Sequence, residues 1–392
     1  MNTLNRLKTA HTRYGYFTPA LLIFIASFLL LPTSKMVNNV YYALLALPAL
    51  GVLLTRLGRD TRASTIFLLW GAFCAWSVLV GLFSGDAQYV KHVLYVALFV
   101  LLVSQLVDPL PLRSMVFARG LFWVLGTYVL GSALFYWFSG RYALGERVLW
   151  LPGRMTGPIY TSMWLACCFS LALPGWVTRR RWSELGAAVL LAVFCMSYIL
   201  QSRTGLVGML VLGGLATGWL ALRRARSWLW AVAVVASVGG LALYLLRDVP
   251  ELARLFSRAD AGRFELWRIL VEDWFTCGLW LGCGVQYVSE ATILHGAPIQ
   301  HPHNIFIALG LYSGLVSLLI FLALMFVVLR QAWVHRDPWG LYLLLALVML
   351  NFDGSKLIGN PDELWLLVLL PAALITNRRR AAGKPCASTD IA

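Results

Sequence analysis

Apolar stretches near 20 residues, the length at which a helix crosses about 30 Å of hydrocarbon, recur along almost the whole chain. Twelve of them are centred on Ile25, Leu47, Ala72, Leu98, Thr127, Ala166, Leu191, Gly213, Ala236, Leu318, Ala346 and Val368. Lipid offers backbone groups no partners, so each stretch is expected to be helical. The ten-residue alternation of a membrane barrel is absent. The expected fold is an all-α integral membrane protein of about 12 transmembrane helices, a single polytopic domain over residues 1–392. Two polar stretches on one side interrupt it, over residues 139–157 and 248–303. The second separates spans nine and ten and is long enough to form a loop subdomain. Within it Phe264, Trp267, Val271 and Trp274 recur at helical spacing, which predicts a helix with one aromatic face. Glycines and prolines divide the rest into short pieces. Residues 381–392 are polar and read as a disordered tail.

Composition agrees with this pattern. Apolar residues make up 60% of the chain and charged residues 12%, against about 25% charged in soluble domains. That balance excludes a cytosolic enzyme, a disordered protein and a collagen-like fibre. The net charge is +15, which in a soluble chain would suggest nucleic acid. With the N-terminus in the cytoplasm and sides alternating, the cytoplasmic segments hold 20 of the 32 basic residues and five of the 17 acids. The opposite side is neutral. The whole excess is thus topology signal, and no nucleic-acid partner is implied. Both termini are expected in the cytoplasm. The first apolar run, over residues 16–32, lacks a small-x-small cleavage site and is followed by further spans, so it does not read as a cleavable signal. The seven cysteines show no zinc or CxxC spacing. Cys277 and Cys283 are the one close pair in a polar region, and unpaired packing is favoured for them over a disulfide.

The unusual polar residues collect on the neutral side. Arg203 stands in a very short link, Gln201-Ser202-Arg203-Thr204-Gly205. It can snorkel to headgroups or present a planar fork to a phosphate or carboxylate. Arg263 and Arg268 flank the aromatic face, where they either bind an anion or pair with Glu265 and Glu272 along the helix. Gln300-His301-Pro302-His303-Asn304 leads into span ten, with Asn304 placed to cap it. A His pair with no nearby acid or cysteine is weak for zinc, so neither a metal nor a cofactor is expected. A histidine can take a proton from a hydroxyl near neutral pH, and arginines can hold a departing pyrophosphate.

The order of SRTG after one span, a GR-x-x-x-W helix in a long outer loop, Leu281-Gly282-Cys283-Gly284, and HPHN running into a span with Gly310 and Gly314 resembles the O-antigen ligase/polymerase superfamily. That resemblance implies a GT-C-type glycosyltransferase of the bacterial inner membrane. Its donor would be a glycan on undecaprenyl pyrophosphate and, in a ligase, its acceptor the lipid A–core. The reaction would be inverting and metal-free, on the periplasmic side. Carried over, the family's base matches His303 and its pyrophosphate-binding arginines match Arg203 and Arg263. Arg268, His301 and Asn304 are further substrate-binding candidates. The first outer loop, residues 31–38, holds no acid, unlike the metal-dependent members of the wider fold.

Alternatives stay open. Polymerases resemble ligases but often carry an Arg-x10-Gly pattern in two outer loops, and here only Arg203 to Gly214 fits, running into a span. Protein O-oligosaccharyltransferases resemble both, usually with a larger C-terminal part. A lipid-linked glycan transporter would call for ionisable groups at mid-membrane, and the charges cluster at span ends instead.

Overall fold

The computed structural model describes residues 15–56, 64–155, 157–222, 262–290, 292–293, 297–298 and 301–377. Its helices are α1 (Phe17–Leu30), α2 (Ser34–Val40, a π turn Tyr41–Ala46, then Leu47–Arg56), α3 (Thr65–Phe83) and α4 (Ala87–Gln105). There follow α5 (Met115–Phe138), α6 (Pro158–Thr178), α7 (Trp182–Phe194 with a π turn Cys195–Ile199) and α8 (Arg203–Leu222). The last are α9 (Arg263–Cys277), α10 (Ile305–His335), α11 (Trp339–Met349) and α12 (a π turn Trp365–Leu369, then Leu370–Thr376). Two short strands, β1 (Thr292–Ile293) and β2 (Ala297–Pro298), pair antiparallel between α9 and α10.

Eleven of the twelve predicted span centres fall inside these helices. Ala236 lies outside the described residues, as do much of the long loop and the 381–392 tail. Among the described residues seven helices are long and apolar enough to cross a membrane, and α1, α8, α11 and α12 contribute shorter apolar helices. The protein is a multi-pass membrane protein. The span α6 is the most enclosed, 78% buried inside the bundle, with α5, α8 and α11 packed around it. Around this centre α3 packs on α10 and α4 on α12.

The loop helix α9 is present where the aromatic spacing predicts it, but its buried face differs. Leu266, Leu270 and Trp274 are buried against Ala308, Leu311 and Tyr312 of α10, while Phe264 is 68% exposed. Phe264 sits in the first turn, at the edge of the contact, with its ring edge-on to Trp267 at 5.5 Å. Outside the bilayer, burying each such side chain contributes about 1.5–3 kcal/mol. Two glycines of α10 make room for this docking. A Cβ on Gly310 would meet the Trp274 ring at 2.2 Å. Gly314 adopts φ +78° at a kink, where an added Cβ would run into the Trp280 carbonyl.

Cys277 and Cys283 form a disulfide, with Cα atoms 4.9 Å apart, which corrects the expectation of unpaired thiols. The helix ends at Cys277, and Gly278 (φ +135°) and Gly282 (φ +74°) reverse the chain so that the second thiol returns to the first. Spacing alone did not carry that reversal.

The segment between α5 and α6 folds back over the helix ends. Its backbone is pinned by Val148 N–H to the Ile199 carbonyl at 3.0 Å and by Met155 N–H to the Phe28 carbonyl at 3.1 Å. Gly153 N–H donates to the Tyr128 hydroxyl at 2.7 Å.

Candidate functional site

His303 sits at the mouth of α10. Asn304 caps that helix as expected, its Oδ1 accepting from Phe306 N–H at 2.9 Å and Ile307 N–H at 3.1 Å. Its Nδ2 donates to the Asn351 carbonyl at 3.1 Å, so both ends of this side chain are engaged. Pro302 restricts the residue before it, and His303 takes the left-handed conformation, φ +51°. A non-glycine residue there stores of order 1 kcal/mol, and its surroundings hold it. Nδ1 of His303 lies 2.5 Å from Oδ1 of Asp353, a residue 96% buried. A carboxylate acceptor at that nitrogen favours the tautomer with the proton on Nδ1, which leaves Nε2 as a lone-pair acceptor. The His301 ring lies 3.9 Å from that of His303. Burial, and then His303 itself, push the His301 imidazole below its ordinary pKa.

Arg203 opens α8. The preceding turn is fixed from two sides: Gln201 (φ +43°) donates through Nε2 to the Gly145 carbonyl at 2.9 Å, and Ser162 of α6 donates to the Ser202 hydroxyl at 2.6 Å. Further along α8, Gly208 abuts Met349 at the end of α11, two residues before Asn351. The start of α8 and the segment bearing His303 therefore lie toward the same end of the bundle. An Arg at a helix N-terminus adds its fork to the positive end of the helix dipole, a favourable place for an anion.

Arg263 opens α9 in the same way, after Gly262 in the left-handed region. The helix is tied to the histidine segment by Trp267 Nε1–H donating to the Pro302 carbonyl at 3.0 Å. Arg268 pairs with Glu272 at 3.0 Å, both side chains well exposed. Such a pair contributes little, about 0.3–0.5 kcal/mol.

Residues 351–364, between α11 and α12, complete the site and were not anticipated. Besides Asp353, this stretch brings Ser355 to the Tyr160 hydroxyl at 3.4 Å. Lys356 bonds the Val285 carbonyl and lies 4.1 Å over the Tyr312 ring. Glu363 pairs with Arg154 at 2.6 Å. Burial, with Glu363 alongside, pushes the neighbouring Asp362 carboxyl well above the usual carboxylate range. Tight packing of this stretch on α10 requires Gly354, where a Cβ would meet Ile305 N at 2.4 Å.

Asp353 also corrects the reading that no acid stands near the histidines. His301, His303 and Asp353 each offer a ligand atom, all within 4.8 Å of one another. Two ligands of one ion at about 2.1 Å would stand roughly 3 Å apart, further than the 2.5 Å between His303 Nδ1 and Asp353 Oδ1. That contact is even closer than the roughly 2.7–2.9 Å of a charge-assisted N–H···O bond, and an ion between these two atoms would have to part the pair to enter.

A family model described as O-antigen ligase matches residues 186–322. That range includes the Arg203 turn, α9, the disulfide loop and the HPHN segment, while Asp353 and the rest of the 351–364 stretch lie beyond it. The chain is also 26% identical to an O-antigen ligase of Pseudomonas aeruginosa, over 86% of this chain and 84% of the relative. Over these residues, and at lower identity over most of its length, the chain is similar to O-antigen ligases.

Proposed function

We propose that this protein joins a glycan, delivered on undecaprenyl pyrophosphate, to a sugar of the lipid A–core during lipopolysaccharide assembly. Similarity to O-antigen ligases supports glycosyl transfer. The observation that carries the mechanism is the His303–Asp353 pair at 2.5 Å, at the helix mouth beside two helices that begin with arginine.

His303 Nε2 takes the proton of the acceptor hydroxyl while Asp353 steadies the imidazolium that forms. The freed oxygen attacks the anomeric carbon from the face opposite the pyrophosphate. The bond from that carbon to the pyrophosphate oxygen breaks, its electron pair leaves with the lipid pyrophosphate, and the anomeric configuration inverts. Arg203 and Arg263, each with the N-terminal amides of its helix, hold the charge that develops on the leaving group. His301, kept below its ordinary pKa, offers a neutral hydrogen-bonding partner beside the base. Asn304 acts by positioning, since its side chain caps α10. Arg268 binds at most the periphery of the substrate. No metal takes part, because the arginines supply the positive charge an ion would bring.

The basic residues in the opposite segments place the His303 end in the periplasm by the positive-inside rule. Both termini then lie in the cytoplasm, and residues 248–303 form the periplasmic loop subdomain. The test is the glycolipid profile of a deletion strain. Loss of this ligase leaves bare lipid A–core and polymer still on its lipid carrier. A core capped by one repeat would instead make the enzyme a polymerase, and a normal profile would refute the assignment.

A further inference from the structure

The 351–364 stretch reaches a second polar cluster away from the histidines. Asn360 accepts a hydrogen bond from the Tyr42 hydroxyl of α2 at 3.4 Å and its side chain hydrogen-bonds the His92 ring of α4. The Tyr42 and Tyr95 rings are 5.2 Å apart at 52°, and His92 and Tyr95 are 6.2 Å apart. Tyr42, His92, Tyr95 and Asn360 are all half-buried. Two buried polar atoms here, His92 Nε2 and Asn38 Oδ1 one helical turn before Tyr42, have no hydrogen-bond partner. An unsatisfied buried polar atom costs about 1–3 kcal/mol, so two in one cluster demand an explanation.

We infer that this cluster of Asn38, Tyr42, His92, Tyr95 and Asn360 is a saccharide subsite. The chemistry on offer is neutral donors and acceptors between aromatic faces. A hydroxyl both donates and accepts, so one sugar can serve Asn38 Oδ1 and His92 Nε2 together while its C–H face lies on a tyrosine. A phosphate fits poorly, because the five side chains of the cluster carry no guanidinium or ammonium group, and the nearby Lys91 lies over the Tyr95 ring at 6.0 Å. The subsite shares a loop with the catalytic pair: Asn360 follows Asp353 by seven residues.

Resting on the proposed transfer, the occupant is the acceptor. The donor's defining feature is its pyrophosphate, which calls for the arginines of α8 and α9, and this neutral cluster suits the uncharged face of a core sugar. The protein, purified into lipid nanodiscs, is assayed for transfer with donor and lipid A–core varied in turn. His92→Leu keeps volume but removes both ring nitrogens, and Asn360→Ala removes the amide, so the pair separates lost hydrogen bonding from lost packing. Each is expected to raise acceptor KM at least tenfold, with kcat and donor KM within twofold of the parent. A raised donor KM instead keeps the subsite and assigns its sugar to the donor glycan. Unchanged values for both substrates, or a fall in kcat alone, would overturn the inference. Absence of transfer by the parent protein is a failure of the reaction assignment and is seen before any variant is compared.

Discussion

Replacing Asp353 by Asn keeps the size and shape of a buried side chain but removes its charge. In the parent, Asp353 Oδ1 lies 2.5 Å from His303 Nδ1. The substituted amide can still place an oxygen there, or it can turn and present its NH2 group, which would force the proton of the imidazole onto Nε2. In the first case a charge-assisted bond becomes a neutral one, and the imidazolium that forms during proton transfer loses its counter-charge. In the second, the base has no lone pair facing the acceptor. The lost bond alone is worth about 1.5–3 kcal/mol. At 1.36 kcal/mol per tenfold, kcat falls about 10- to 160-fold. Acceptor and donor KM stay within about threefold, because neither substrate touches Asp353 directly. Steady-state transfer from a synthetic lipid-pyrophosphate donor, with thermal unfolding measured on the same preparations, separates lost catalysis from lost folding. A variant that folds like the parent and transfers within threefold of its rate would refute the dyad.

Four further outcomes are expected. His303→Ala inserts and folds normally but loses transfer by about 10²–10⁴-fold, the usual worth of a general base; core capped normally in a complemented deletion strain would dismiss that role. Arg203→Lys keeps charge but loses the planar fork, and transfer drops at least tenfold, whereas full activity in the same strain would mean the arginine only meets headgroups. Transfer survives exhaustive chelation, and loss restored by a divalent ion would move His301, His303 and Asp353 to a metal site. Gly310→Ala drives a methyl into the Trp274 ring and destabilises the α9 contact by about 1–3 kcal/mol, read as a lower unfolding temperature in detergent; an unchanged temperature would show that α9 repacks freely.

How legible each part was follows from the range of the interactions involved. Span positions are set locally by hydrophobic length, so eleven centres fall within helices. The Asn304 cap is equally local, a side chain bonding amides two and three residues on. The same holds for Arg268, which pairs with Glu272 one turn away. Asp353 is different. It lies 50 residues from His303, in a stretch that reads as a short gap between two spans. A signal was available, since Asp353, Asp362 and Glu363 crowd into a short run of an otherwise apolar region. Three acids between spans are expensive unless partnered, and Arg154 and His303 are those partners. The disulfide was hidden for a related reason. Its closure depends on two glycines with positive φ, and the letter sequence does not state the sign of φ.

The 351–364 stretch also bears on how the site opens. It bonds α10 through Asn351 and Asp353, α6 through Ser355, the disulfide loop through Lys356, α2 through Asn360 and the 139–157 segment through Glu363. A strand of chain held by so many separate elements cannot swing without breaking several of them together, at about 0.5–1.5 kcal/mol for each ordinary hydrogen bond and more for the charged ones. It behaves as a rigid strut, and the dyad it carries is preorganised, as an electrostatic site must be if it is not to reorganise during the reaction. Any movement that admits two bulky glycolipids then falls to elements with fewer ties. Among the described residues the helix α9 is tied by one apolar face on α10, the Trp267 bond to Pro302, the Ser289 bond to Asp273 and the disulfide at its end, none of which joins the 351–364 stretch. It also begins with Arg263. A shift of α9 would therefore move Arg263, which we propose holds the pyrophosphate, toward or away from a histidine that stays still.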